Sequence, residues 1–147
     1  VSGIPFGVMS EMMDSGNQYR GLLFGMTNRF DWETNESDPL NIWRIFDDYH
    51  LDKAELVGWW DDRNEVFLSN PAVRATEYRL GDKKYIAIAN FSSDEQPTDI
   101  YIKGDVLKTG DYCFYAPSIE RFQSEQTIVN KVRLGGGKGL FLIASKK

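Results

Sequence analysis

The chain has 147 residues, which suffices for one ordinary domain or two small ones and excludes a large multidomain enzyme. Apolar residues make up 41% and charged residues 27%, so the disordered, collagen-like and low-complexity classes are excluded. The net charge of −5 gives no general basic footprint, and the apolar stretches fall short of the ~20 residues that span a bilayer, so we predict neither a nucleic-acid partner nor a membrane span.

The charge distribution divides the chain into two halves. Residues 1–69 carry 5 basic and 13 acidic residues, whereas residues 70–147 carry 12 basic and 9 acidic ones. Such an asymmetry is typical of two units with different surroundings. We therefore predict a small α/β segment over residues 1–69 and a separate β domain over residues 70–147.

The first half combines short apolar runs with one helical pattern. Residues 4–9 and 21–26 have the length of buried strands, and a short helix over 11–13 would connect them. Asp38 precedes a proline, which predicts an N-cap and the start of a helix over residues 39–49. Two strands and one helix cannot cover both faces of a parallel sheet. The segment is therefore part of a larger unit, or it folds back on the second half.

The second half has the pattern of antiparallel β-structure. Short β-rich runs are separated by turn residues, and they predict strands over 73–79, 84–91, 99–103, 112–115, 127–134 and 140–144. The run over 85–91 is apolar at both odd and even positions, which predicts a central strand covered on both faces. The fold class is therefore predicted as mainly β, with a C-terminal antiparallel β-sandwich. Its predicted core contains Ile86, Ile88, Ile100, Ile102, Leu140 and Leu142.

The residue types that ligate metals are sparse and poorly spaced. Cys113 is the only cysteine and His50 the only histidine, which excludes an intrachain disulfide and a Cys₄ or Cys₂His₂ zinc site. Asp61, Asp62 and Glu65 lack the glycine and the spacing of a calcium loop. We therefore predict neither a metal nor a cofactor.

Several segments together resemble bacterial glycoside-hydrolase-like proteins related to glycoside hydrolase family 123. They are residues 2–12 (SGIPFGVMSEM), 19–29 (YRGLLFGMTNR), 39–60, 89–91 (ANF) and 115–123 (YAPSIERFQ), so the resemblance covers nearly the whole chain. It implies a (β/α)₈ barrel followed by a β-sandwich in a secreted, periplasmic or cell-surface protein. The chain would then hold the last barrel strands, the last barrel helix and the sandwich, with the upstream barrel of the same polypeptide as its partner.

The resemblance also suggests where a substrate would bind. Active sites of such barrels lie at the C-terminal ends of the strands. Glu11 would follow one strand, and Arg29 and Trp32 would follow the next, so these three are the predicted substrate-binding residues. Arg29 could equally pair with Glu11 as a structural clamp. The family is thought to use a neighbouring Asp–Glu pair, and none occurs in the first half, so no catalytic residue is assigned and the chain alone is predicted to be inactive.

Three functions remain open at this point. The first is a non-catalytic C-terminal part of a glycoside hydrolase, in which the sandwich supports the barrel. The second is a carbohydrate-binding module that uses exposed aromatic residues. Trp59 and Trp60, followed by Asp61 and Asp62, could form a sugar platform or could pack at the junction between barrel and sandwich. The third is a structural domain without a ligand.

Overall fold

A computed structural model describes residues 17–25, 39–103 and 112–146 of the chain. Within these ranges it contains two α-helices, one 3₁₀-helix and nine strands. In chain order they are α1 (Gln18–Leu23), α2 (Pro39–Tyr49), the 3₁₀-helix (Leu51–Lys53), β1 (Glu55–Val57), β2 (Val66–Leu68), β3 (Val73–Leu80), β4 (Lys83–Asn90), β5 (Gln96–Ile102), β6 (Tyr112–Ala116), β7 (Gln126–Ile128), β8 (Lys131–Leu134) and β9 (Gly139–Lys146). The strand predicted over 4–9 and the helix predicted over 11–13 lie outside the described residues.

The strands form two antiparallel sheets. One sheet has six strands in the order β1-β3-β4-β9-β6-β7, and the other has three in the order β2-β5-β8. Strands β3 and β4 form a hairpin that turns at Gly81, whose φ of 61° is readily adopted by glycine. The predicted mainly β fold with an antiparallel sandwich is confirmed, as is the helix over residues 39–49.

A hydrophobic core fills the space between the two sheets. The inward side chains of β3, β4, β6, β7 and β9 meet those of β5 and β8 in one cluster. All six residues predicted for the core are buried there, with Ile86 and Ile100 fully inaccessible to solvent. Burying each such side chain stabilises the fold by roughly 1.5–3 kcal/mol.

A second core covers the opposite face of the six-stranded sheet. Here both α-helices and the 3₁₀-helix pack on the outward side chains of β3, β4 and β9, and the cluster contains Leu22, Leu23, Ile42, Ile45, Leu51, Ala54, Tyr78, Tyr85, Ala87, Ala89, Phe122 and Phe141. The molecule therefore has three layers, namely helices, six strands and three strands. This arrangement explains why β4 is apolar at both its odd and its even positions. The described helices of the first half, in residues 17–25 and 39–53, pack on the sandwich.

The strand predicted over residues 21–26 is wrong in its described part, which is helical. Helix α1 covers Gln18–Leu23, and the Oδ1 atom of Asn17 caps it by accepting hydrogen bonds from the backbone N–H groups of Tyr19 and Arg20. Leu22 and Leu23 are adjacent, yet both are buried because the helix lies in the second core. A short apolar run fits a buried strand and a buried helix equally well, and tertiary packing decides between them here.

The strand predicted over residues 127–134 is two strands in different sheets. Strand β7 pairs with β6 in the six-stranded sheet, and β8 pairs with β5 in the three-stranded sheet. The chain crosses between the sheets at residues 129–130, while Ile128 and Val132 still enter the same core. Strands β1 and β2, which precede residue 70, pair with β3 and β5. The division into residues 1–69 and 70–147 stays a prediction.

Candidate functional site

The residues predicted to bind substrate lie outside the described part of the chain. Glu11, Arg29 and Trp32 belong to the ranges 1–16 and 26–38, so their contacts with substrate and with one another stay predictions. The described residues that carry site-like features form three groups. These are the attachment of α1 to the sandwich, a buried charge cluster, and a groove beside Trp59.

Side chains of strand β3 bind the last turn of helix α1. The Thr76 hydroxyl donates a hydrogen bond of 2.7 Å to the carbonyl oxygen of Leu23, and the Tyr78 hydroxyl donates one to the carbonyl of Leu22. Both β3 side chains are completely buried. Burial raises the pKa of Tyr78 well above its usual range, so the phenol stays protonated and remains a donor. The two bonds bind carbonyls in the last turn of the helix, where the intrahelical pattern ends, and the Leu22 carbonyl also accepts a longer bond of 3.4 Å from the Gly25 N–H.

Side chains at the start of α1 bind two loops of the sandwich. The Nδ2 atom of Asn17 donates to the carbonyl of Gly137 at 2.8 Å, and the Tyr19 hydroxyl donates to the carbonyl of Phe122 at 2.9 Å. The rings of Tyr19 and Phe122 are also in contact, with centroids 4.8 Å apart. Together with the bonds from β3, these contacts fix both ends of a six-residue helix on the sandwich.

Trp60 continues this attachment. Its ring stacks on Phe24 just after α1, with centroids 5.6 Å apart and an angle of 15° between the planes. The indole also lies against the backbone of Gly58, where an added Cβ would meet three ring atoms at 2.5–2.6 Å. Trp60 therefore packs at the junction between α1 and the sandwich, as one of the two interpretations of the tryptophan pair predicts.

The buried charge cluster consists of Glu77, Arg79, Lys84 and Glu65. The Glu77 carboxylate is fully buried, and its Oε2 lies 2.9 Å from Nε of Arg79 and 3.1 Å from Nζ of Lys84. Its Oε1 accepts hydrogen bonds from the backbone N–H groups of Glu65 and of Val66, the second at 3.2 Å. The bond to Glu77 raises the pKa of Arg79, and the bond from Lys84 lowers the pKa of Glu65. This cluster holds the start of β2 against β3 and β4.

Sequence reasoning missed Glu77, although the sequence contains a signal for it. Val73, Ala75 and Glu77 alternate along β3, and their inward face is the one that packs against the smaller sheet. An acidic residue in register with an apolar face requires a buried partner. The partners follow two residues later, at Arg79, and across the hairpin, at Lys84.

The Trp59 groove is lined by Trp59, Asp61, Asp62, Asn64, Val66, Phe67, Leu68, Asn70, Pro71, Val73, Arg74 and Ala75. Its volume is about 280 Å³. The Cζ atom of Arg74 lies 5.0 Å from the centroid of the Trp59 ring, which is 39% exposed. The Nη2 atom of Arg63 lies 2.8 Å from Oδ2 of Asp61, and the hydrogen bonds from Arg63 lower the pKa of Asp61.

The other residues singled out by the sequence have structural surroundings. His50 lies between α2 and the 3₁₀-helix in a left-handed backbone conformation with φ of 53°, and its side chain makes no capping hydrogen bond. Cys113 is partly buried on β6. Among the residues that the structure describes, no three His, Cys, Asp or Glu side chains are grouped to hold a metal ion. No helix in the described ranges has the length and apolar character needed to cross a membrane.

Two family models match the chain. The model described as "Glycoside hydrolase 123, TIM-barrel domain" matches residues 1–31, and "Glycoside hydrolase 123, C-terminal domain" matches residues 38–145. A search of curated proteins gave no match. The C-terminal model covers helix α2, strands β1 to β8 and all but the last residue of β9, and the barrel model includes α1. The chain therefore belongs to the glycoside hydrolase 123 family, and it corresponds to a C-terminal portion of such a protein.

Proposed function

We propose that residues 38–145 form a non-catalytic domain that supports the TIM barrel of a glycoside hydrolase. The observation that carries this proposal is the position of α1. This helix lies in the stretch matched by the barrel model, yet its contacts are with the sandwich. A segment that continues from the barrel is therefore held by the neighbouring domain.

The contacts of α1 are strong enough to serve this role. Leu22 and Leu23 are 1% and 0% exposed, and each buried leucine contributes roughly 1.5–3 kcal/mol. Tyr78 binds the carbonyl of Leu22, which also accepts from the Gly25 N–H, and Thr76 binds the carbonyl of Leu23; a buried carbonyl such as that of Leu23, left without its donor, would cost about 1–3 kcal/mol. Displacing the end of the barrel from the sandwich would lose the burial of the two leucines and the hydrogen bonds to their carbonyls at the same time.

In this proposal the barrel upstream in the same polypeptide performs the hydrolysis. Glycoside hydrolysis needs two groups positioned across the scissile bond. Glu11, Arg29 and Trp32 would contact the substrate from the ends of the barrel strands, and the sandwich would contribute no reacting group. The proposed location is outside the cytoplasm of a bacterium, and it rests on the family resemblance alone.

The test compares the 147-residue chain with a longer protein that includes the whole barrel. We expect the longer protein to cleave a chromogenic N-acetylhexosaminide and the shorter chain to release no chromophore. In the longer protein, Tyr78→Phe should shorten the half-life of activity on heating, because it removes the hydroxyl that binds the Leu22 carbonyl and leaves that carbonyl with the longer 3.4 Å bond from the Gly25 N–H. Tyr115→Phe is the matched control, because Tyr115 is 36% exposed on β6.

Two results would contradict the proposal. One is measurable turnover by the 147-residue chain. The other is a pair of observations made together. Tyr78→Phe lowers the unfolding free energy of the sandwich, yet the Tyr78→Phe and Tyr115→Phe proteins lose activity on heating with equal half-lives. In that second case the sandwich would fold beside the barrel without supporting it.

A further inference from the structure

We propose that the Trp59 groove binds carbohydrate. This inference goes beyond the supporting role, since a domain that only braces a barrel needs no ligand groove. It starts from two side chains that packing leaves partly open. Trp59 is 39% exposed, and Arg74, which lies over its ring, is also exposed.

The first argument is the chemistry of the platform. A pyranose ring presents C–H groups on its face and hydroxyls around its edge, so it stacks on an aromatic ring while polar groups bind its edge. Arg74 lies over one face of the Trp59 ring, the part of the indole that stays exposed offers the apolar surface, and the guanidinium adds up to five N–H donors at its edge. Ligand sites in general combine an apolar lining with a few well-placed polar groups of this kind.

The second argument is the charge of the groove. Asp62 and Arg74 both line it, and neither makes a hydrogen bond or ion pair with another described side chain. Asp61 is already neutralised by Arg63. An anion would meet the open carboxylate of Asp62, and a cation would meet the guanidinium of Arg74. A neutral polyhydroxylated ligand can use both, because its hydroxyls donate to one and accept from the other.

The third argument is that the walls of the groove are fixed before any ligand binds. The Nδ2 atom of Asn64 donates to the carbonyls of Val57 at 3.1 Å and Ala75 at 2.9 Å, which ties the 58–65 loop to β1 and β3. On the other wall, Asn70 Nδ2 donates to the carbonyl of Pro97 at 2.9 Å. Such anchored loops lose little conformational entropy when a ligand binds.

The size of the groove limits the ligand. Its volume of about 280 Å³ lies at the lower end of the roughly 300–1,000 Å³ typical of small-molecule sites. The groove is thus suited to one or two sugar rings, such as the end of a chain or a short stretch of it. The geometry points to a neutral saccharide bound through Trp59, Arg74 and Asp62.

The experiment titrates the 147-residue chain with cellobiose, lactose and N,N′-diacetylchitobiose, and with inorganic phosphate as a fourth probe. Binding is followed by the indole N–H resonances of the tryptophans and by calorimetry. We expect at least one disaccharide to shift the Trp59 resonance with a Kd in the range of about 0.1–10 mM, equivalent to roughly 2.7–5.5 kcal/mol of binding free energy. Phosphate should not compete with it.

The variants Trp59→Ala, Arg74→Ala and Asp62→Asn should each weaken that binding, the first two by at least about tenfold. Trp43→Ala is the control, because Trp43 is an exposed tryptophan on α2 and lies outside the groove. Arg74 and Asp62 are exposed, so their variants keep the test valid if Trp59→Ala fails to fold. The inference is overturned if no disaccharide shifts the Trp59 resonance at about 100 mM, tenfold above the upper end of the expected Kd range.

It is equally overturned if phosphate alone binds, or if Trp43→Ala weakens saccharide binding as much as Trp59→Ala does. These outcomes are independent of the barrel-support proposal. That proposal is judged on turnover and on heat inactivation of the longer protein, whereas the groove is judged on equilibrium binding by the shorter chain.

Discussion

Replacing Glu77 by glutamine tests the buried charge cluster in isolation from hydrophobic packing. Glutamine has nearly the same shape, and its side-chain oxygen can still accept hydrogen bonds from the backbone N–H groups of Glu65 and Val66. The change removes the negative charge that faces Arg79 and Lys84. It also places an amide NH₂ group, which is a donor, against two further donors.

The magnitude follows from the burial of the three charges. Glu77 is completely buried, whereas the side chains of Arg79 and Lys84 are 28% and 17% exposed. Breaking a buried ion pair by removing one partner costs about 3–5 kcal/mol. Because water can partly solvate the two remaining cations, we expect the lower end of this range, about 3 kcal/mol of unfolding free energy. For a chain of this length that loss lowers Tm by roughly 6–12 °C.

Urea denaturation followed by tryptophan fluorescence measures the change in unfolding free energy. Glu65→Gln is the matched control, because Glu65 also contacts Lys84 but is 46% exposed, and such pairs contribute ~0–1 kcal/mol. A double-mutant cycle of Glu77→Gln with Lys84→Met should give a coupling energy of about 0.5–3 kcal/mol. If Glu77→Gln unfolds within about 0.5 kcal/mol of the parent chain, the range of ordinary surface substitutions, the cluster does not hold β2 to β3 as argued.

Three further changes test other parts of the fold. Ile88→Ala should cost ~2–5 kcal/mol in urea denaturation, since Ile88 is 1% exposed between the sheets; a loss below about half a kcal/mol would mean that β4 is not central. Asp38→Ala should cost ~0.5–2 kcal/mol if Asp38 caps α2, and unchanged stability would remove that assignment. The pKa of Glu65 is lower in the folded protein than its ordinary value of 4.5, so the ionised carboxylate stabilises the fold above pH 4.5. This contribution is lost as the pH falls through the lowered pKa of the folded state. Glu65→Gln should therefore flatten the fall in unfolding free energy as the pH drops below 4.5, and an unchanged slope would contradict the ion pair with Lys84.

Most of the sandwich could be predicted from the local sequence pattern. Its strands either alternate between apolar and polar residues or, where both faces are covered, carry apolar residues on both faces. The run over 85–91 predicted a strand covered on both sides, and β4 lies between β3 and β9 with a core on each face. The sequence did not say that helices provide one of those covers. That information depends on contacts between residues more than 50 positions apart, such as Leu23 with Thr76, and no local period encodes them.

The two errors share a physical cause. Residues 21–25 and 127–134 are short apolar runs whose secondary structure depends on what packs against them. The first became a helix because Asn17 caps it and β3 binds its end. The second contains a crossing between sheets at residues 129–130, and both of its parts still point their apolar side chains into one core. Periodicity reports which residues are buried more reliably than it reports which element buries them.

The candidate sites were predicted unevenly for a similar reason. The tryptophan pair was noticed because large aromatic residues stand out in a polar stretch, but only the structure separates Trp60, which packs on Phe24, from Trp59, which lines a groove. Glu77 was overlooked because a charged residue in a strand is usually solvated. Glu11, Arg29 and Trp32 stay predictions that rest on the family resemblance.

The boundary between the two family matches does not coincide with the boundary of packing. The barrel match ends at residue 31 and the C-terminal match begins at residue 38, yet α1, which lies before both positions, is part of the second hydrophobic core. A protein cut between the two matches would leave the hydroxyls of Thr76 and Tyr78 without the carbonyls that they bind. It would also uncover the face of the sheet that Leu22 and Leu23 now bury. The smallest unit with a complete core therefore includes α1, so α1 and the sandwich form one structural unit even though different family models match them.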